Sequence, residues 1–80
     1  MLRLRIVSPE KVIFTGEVES VVVPGTLGSF EILSDHAPII SSLNAGKVEY
    51  GSENGEKQTI MVKEGFVEVQ KNEVSLCVEI

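Results

Sequence analysis

Eighty residues carrying 12 acidic against 7 basic side chains, a formal charge of -5 and a hydrophobic fraction of 42% describe at most one small acidic domain. That charge excludes a nucleic-acid surface, which needs a basic patch to release counterions, and a single cysteine, Cys77, excludes an internal disulfide. A chain this short buries only about 60% of its unfolded surface, so a docking partner is expected to add stability.

The dominant period along the chain is two, the period of strands. Leu2, Leu4 and Ile6 share one face while Arg3, Arg5 and Val7 share the other, and the alternation leaves no apolar run for a signal peptide or for the ~20-residue span of a bilayer. Ser8-Pro9-Glu10-Lys11 supplies a turn in which Pro9 fixes its own φ. A short strand is predicted over 12–15, with Gly16 breaking it before another over 17–23. There Val21-Val22-Val23 reads as a strand covered on both faces or carrying a bulge, and Pro24-Gly25 is predicted to end it.

Ser29 to Leu33 reads as the next strand, and Pro38 holds Ala37 extended before a strand over 39–43. Asn44-Ala45-Gly46 turns the chain, and Asn54-Gly55, the dipeptide that most readily accepts positive φ, joins strands over 47–51 and 57–63 into a hairpin. Strands over 66–70 and 73–80 pair across Lys71-Asn72, with Val67 and Val69 on one face of the first and Val74, Leu76 and Val78 on one face of the second. No helix is predicted, and the fold class is all-β: an antiparallel β-sandwich or flattened barrel of about ten short strands.

Chemistry is scarce in this pattern. His36 is the only histidine, and its neighbour Asp35 points the other way along an extended chain, so the two form no dyad by adjacency. One His and one Cys are too few for a zinc site, and without a helix no serine sits in a nucleophile elbow. Gly25-Thr26-Leu27-Gly28 lacks the lysine and the following helix of a phosphate loop. Cys77, between Leu76 and Val78, reads as a small apolar filler. The absence of an Asn-x-Ser/Thr acceptor, with the unpaired cysteine, favours a reducing compartment. The informative stretch is therefore 21–40, a strand, a glycine turn, a strand and a His-Ala-Pro corner.

Four motifs in register, Ser8-Pro9-Glu10-Lys11-Val12-Ile13-Phe14-Thr15-Gly16, Glu17 through Gly25, His36-Ala37-Pro38-Ile39-Ile40 and Gly65-Phe66-Val67-Glu68-Val69, resemble the epsilon subunit of F-type ATP synthase. The resemblance runs through essentially the whole chain. It implies a β-sandwich in the central stalk, a non-catalytic rotor component that links the gamma subunit to the c-subunit ring. By motif position it puts Ser8, His36 and Ser41 toward gamma, and Ser29, Phe30, Glu31 and Asp35 near the ring. It implies a peripheral membrane complex on the cytoplasmic face of a bacterial inner membrane, with no membrane insertion.

Two departures qualify the carry-over. Glu31 and Asp35 stand where the family commonly has glycine, which questions a positive φ at either, and they are expected to offer carboxylates to a basic residue of the ring loops. Most bacterial members also continue into a two-helix carboxy-terminal domain, whereas this sequence closes at Ile80. Residues 1–80 are thus expected to be a single amino-terminal domain without that hairpin, without cofactor, self-inhibition or intrinsic ATP binding. The alternative is a free-standing β-sandwich module for a peptide or carbohydrate, for which one Tyr and no Trp provide few aromatic contacts. A small hydrolase using His36 would need a nucleophile within ~3 Å of the imidazole.

Overall fold

The computed structural model describes residues 1–52 and 54–80, and within them the chain forms nine strands and no helix. In chain order these are β1 (Leu2–Val7), β2 (Val12–Val18), β3 (Ser20–Gly25), β4 (Gly28–Leu33), β5 (Ile39–Leu43), β6 (Gly46–Gly51), β7 (Lys57–Val62), β8 (Glu64–Gln70) and β9 (Glu73–Glu79). The all-β expectation holds. The β6–β7 and β8–β9 hairpins form as predicted, and Glu53, in the connection that carries Asn54-Gly55, lies outside the described residues.

Hydrogen bonding runs β2-β1-β9-β8-β5-β3-β6-β7, with β4 on the other side of β3. β5 and β3 meet at one residue pair, Gly25 with Leu43, reinforced by the Asn44 N–H donating to the Pro24 carbonyl at 2.8 Å. This narrow joint divides the sheet into a five-stranded leaf, β2-β1-β9-β8-β5, and a four-stranded leaf, β4-β3-β6-β7. The two leaves share a single core.

The core follows directly from the alternation. Leu2, Leu4 and Ile6 of β1, Val67 and Val69 of β8, and Val74, Leu76 and Val78 of β9 are buried from one leaf, and Val21, Val23, Ile32, Val48 and Tyr50 from the other. Among the described residues no charged side chain is buried, so the interior is held by apolar transfer, at roughly 25 cal/mol per Å². Burial pushes the Tyr50 phenol above its ordinary pKa.

Three details differ from the sequence-based expectation. β2 runs unbroken through Gly16, which pairs with Leu4. Its glycine instead makes room for an aromatic ring: a Cβ there would lie 3.0 Å from Phe14 Cζ. The break falls at Glu19, whose N–H donates to the Gly51 carbonyl at 2.7 Å as the chain crosses from one leaf to the other. Pro24 and Gly25 stay within β3, opposite Ser29 and Gly28. Finally, β1 and β9 pair in parallel, Arg3 with Glu73 through Val7 with Cys77, while every other pairing among the described strands is antiparallel. Hairpin signals report neighbours in sequence, and this seam joins the first strand to the last.

Candidate functional site

The His-Ala-Pro corner is built between β4 and β5. The His36 N–H donates to the Leu33 carbonyl at 3.2 Å, closing a turn in which Asp35 takes a φ of 65°. Aspartate is one of the few side chains that tolerate this left-handed region, so a glycine is not required here. The Asp35 N–H donates to Asn72 Oδ1 at 2.6 Å, and Asn72 Nδ2 donates back to Asp35 Oδ1 at 3.2 Å. Asn72 in turn belongs to the two-residue β8–β9 turn, where Lys71 and Asn72 have φ of 51° and 62°, the twisted geometry that suits a tight hairpin. Its carbonyl accepts the Arg3 N–H at 2.8 Å. The corner is therefore fastened to the end of the five-stranded leaf.

The His36 ring stays local. Its Nδ1 lies 2.8 Å from the Ala37 carbonyl, which can only accept, so Nδ1 carries the proton and Nε2 is the acceptor of the neutral ring. His36 is half-buried, and Ala37 and Pro38 beside it are exposed.

Ser29 and Glu31 lie on the outward face of β4, exposed, opposite Pro24 and Val22 of β3. Phe30 faces the other way. It is half-buried against the core, and a Cβ on Gly25 would come 2.8 Å from its Cε1, so the ring covers that glycine and fixes the base of the β3–β4 turn. Glu31 is an ordinary strand residue; positive φ is found only at Asp35 of the two positions in question. Asp35 lies beyond the far end of β4, at about 3.4 Å per residue well over 10 Å along the strand from Ser29. By position it belongs with His36.

Ser8 and Ser41 also serve their own backbone. The Ser8 N–H donates to the Lys11 carbonyl at 2.9 Å, and its hydroxyl donates to that carbonyl and accepts the Lys11 N–H, both at 3.3 Å. Ser41, half-buried opposite Val67, donates to the Ser42 carbonyl at 3.2 Å. The five-stranded leaf carries Ser8, Ser41 and the His36 corner, but Ser8 follows the end of β1 away from Arg3, so the three are spread along the leaf and not gathered.

One feature of this leaf is absent from the motif reading. The register sets Val7 beside Cys77 and Cys77 beside Phe66, making an apolar row on the outward side, with Phe66 47% exposed. With Ser8 and Pro9 these residues line an open depression of about 480 Å³. Cys77, half-buried, fills the floor of this row and not the core. Strand parity already sets Val7 outward; only the register brings the three together.

The whole length of the chain, residues 1–80, matches the sequence family described as ATP synthase, delta/epsilon chain, β-sandwich domain. The chain belongs to that family. An ATP synthase epsilon chain of Leptospira borgpetersenii serovar Hardjo-bovis is 46% identical over 76 residues, covering 94% of this chain and 58% of the relative. This member of the delta/epsilon family thus spans little more than half the length of that relative. In the cryo-EM structure of the Euglena gracilis mitochondrial ATP synthase with its c-ring, one chain has the same fold at a TM-score of 0.91 and 22% identity, covering 96% of this chain and 49% of its own length. A chain of the Tetrahymena thermophila mitochondrial ATP synthase central stalk and c-ring does so at 0.84 and 14% identity, covering 99% and 63%. The epsilon-subunit resemblance carried by the four motifs is thereby shown across the chain.

Proposed function

We propose that this domain is a central-stalk rotor element of an ATP synthase, joining the gamma subunit to the c-subunit ring so that ion-driven rotation is coupled to ATP synthesis. Membership of the delta/epsilon β-sandwich family supports the reading, as does the likeness to a chain of an ATP synthase with its c-ring and to a chain of a central stalk and c-ring assembly. The observation that carries it is geometric. A link needs two separate docking surfaces, and Ser29 and Glu31 stand on the outer face of one leaf while Ser8 and the His36 corner belong to the other; Ser41, paired with the buried Val67, turns toward the core side of that leaf.

In this reading the gamma subunit meets the five-stranded leaf, with the Val7–Cys77–Phe66 row as its apolar centre, and the ring meets the tip and outer face of the β3–β4 hairpin, where Leu27 is fully exposed. Asp35 moves from the ring side to the gamma side, because it shares the His36 turn and its carboxylate is engaged by Asn72. The domain acts as a non-catalytic transmission piece without cofactor or ATP of its own, peripheral to the membrane on the cytoplasmic face. Among the described residues no helix is long and apolar enough to cross a bilayer.

Co-expression with a candidate gamma subunit tests this. Co-purification of a stable pair, and loss of proton- or sodium-coupled ATP synthesis when the chain is deleted, are expected. Failure to co-purify, or full coupled synthesis without the chain, would remove the reading.

A further inference from the structure

Among the described non-glycine residues, three hold positive φ: Asp35, Lys71 and Asn72. Two of these, 37 positions apart in sequence, are bonded to each other twice. The main-chain N–H and the carboxylate of Asp35 engage the two ends of one carboxamide, and the Asn72 carbonyl simultaneously takes the Arg3 N–H. Left-handed backbone is disfavoured for any side chain relative to glycine and persists where the surroundings over-determine it. Here each member of the pair is held in that region by the other's loop.

We infer that Asn72 is a positioning residue for partner docking: its carboxamide locks Asp35 in the left-handed conformation and so sets how the His36-Ala37-Pro38 corner is presented. This rests on the reading that the corner meets the gamma subunit. The side-chain chemistry is specific. An aspartate at position 72 would have acceptors only and would oppose the Asp35 carboxylate, and a glycine would accept the backbone angle while removing the clasp.

Asn72→Gly is therefore the informative variant, because it deletes the bonds without straining the turn. In the chain alone, the Asp35 amide is expected to lose hydrogen-exchange protection and the His36 ring signals to shift in NMR spectra, while the β8 and β9 amides keep theirs. Affinity for gamma is expected to fall about three- to tenfold, the equivalent of one or two net hydrogen bonds. Asn72→Asp should loosen the corner as well, and the exchange Asp35→Asn with Asn72→Asp, which restores one amide and one carboxylate, should recover the exchange protection at position 35 and the His36 ring signals. Unchanged Asp35 exchange and His36 signals in Asn72→Gly would overturn the clasp. A loosened corner with wild-type gamma affinity would overturn the positioning role alone. No gamma binding by the wild-type chain would overturn the docking reading and the positioning role with it, and the exchange and ring signals would still report on the clasp separately.

Discussion

Phe14 of β2 and Tyr50 of β6 sit with ring centroids 4.6 Å apart, tilted by 46°, one from each leaf. The pair ties the leaves together across the core, away from the single-residue joint at Gly25 and Leu43. The same Phe14 ring lies over Gly16. Phe14→Ala should lower the unfolding free energy by about 2–3 kcal/mol, less than for a fully enclosed ring because Phe14 is half-exposed. Gly16→Ala should destabilise the wild type, and the penalty should shrink or vanish in the Phe14→Ala background, a coupling of about 0.5–1 kcal/mol. Strictly additive urea midpoints would refute the ring-over-glycine account.

Tyr50 is the only tyrosine, so its ionisation can be followed by phenolate absorbance without interference. Burial raises its pKa above the ordinary 10.0. The native state then binds the phenolic proton more tightly than the unfolded state, and the stability this represents is complete below pH 10.0 and lost as pH rises through the raised native value. A native titration midpoint above 10.0, returning to that value in denaturant, is the expected result. Identical midpoints in both states would contradict it.

Gly65 lies in β8 where the strand presses on β9. A Cβ there would collide with the Cys77 carbonyl and stand 2.9 Å from both Cα and Cγ1 of Val78. Backbone atoms cannot rotate away, so Gly65→Ala should cost about 3 kcal/mol, at the upper end for overpacking. Hydrogen exchange should place the damage at the β8–β9 ladder. An alanine variant that unfolds at the wild-type urea concentration would show that the strands separate more easily than their packing implies.

Glu31→Gln removes one charge from the outer face of the four-stranded leaf without touching the core, since Glu31 is exposed. Thermal stability should be unchanged. Association with the c-ring should weaken by about two- to fivefold at low salt, with the difference fading as ionic strength screens the surface. If ring association and its salt dependence stay as in the wild type, Glu31 makes no ionic contact there.

What could be read from the sequence was what is local. Leu2, Leu4 and Ile6 announce the buried face of β1, Val67 and Val69 that of β8, and Lys71-Asn72 the turn after it, because each pattern depends on residues a few positions apart. Gly16 misled because a glycine in a strand signals a break unless a ring lies over it, and Phe14 declares itself only in three dimensions. The parallel seam of β1 and β9, the Gly25–Leu43 joint and the Val7–Cys77–Phe66 row depend on register between distant strands. At the candidate site, motif position placed Asp35 beside the ring residues; its bond to Asn72, from a turn far along the chain, groups it with His36 instead.

The seam between β1 and β9 also bears on how the domain is made. β9 is the middle strand of the five-stranded leaf, so during synthesis that leaf lacks its centre until residues near the end of the domain emerge from the ribosome. Until then the inward faces of β1 and β8 have no sheet to complete, and both strands expose an unpaired edge of the kind that invites association between nascent chains. Closing the seam must wait for contacts spanning nearly the whole domain, which makes folding slow for its size and late in translation.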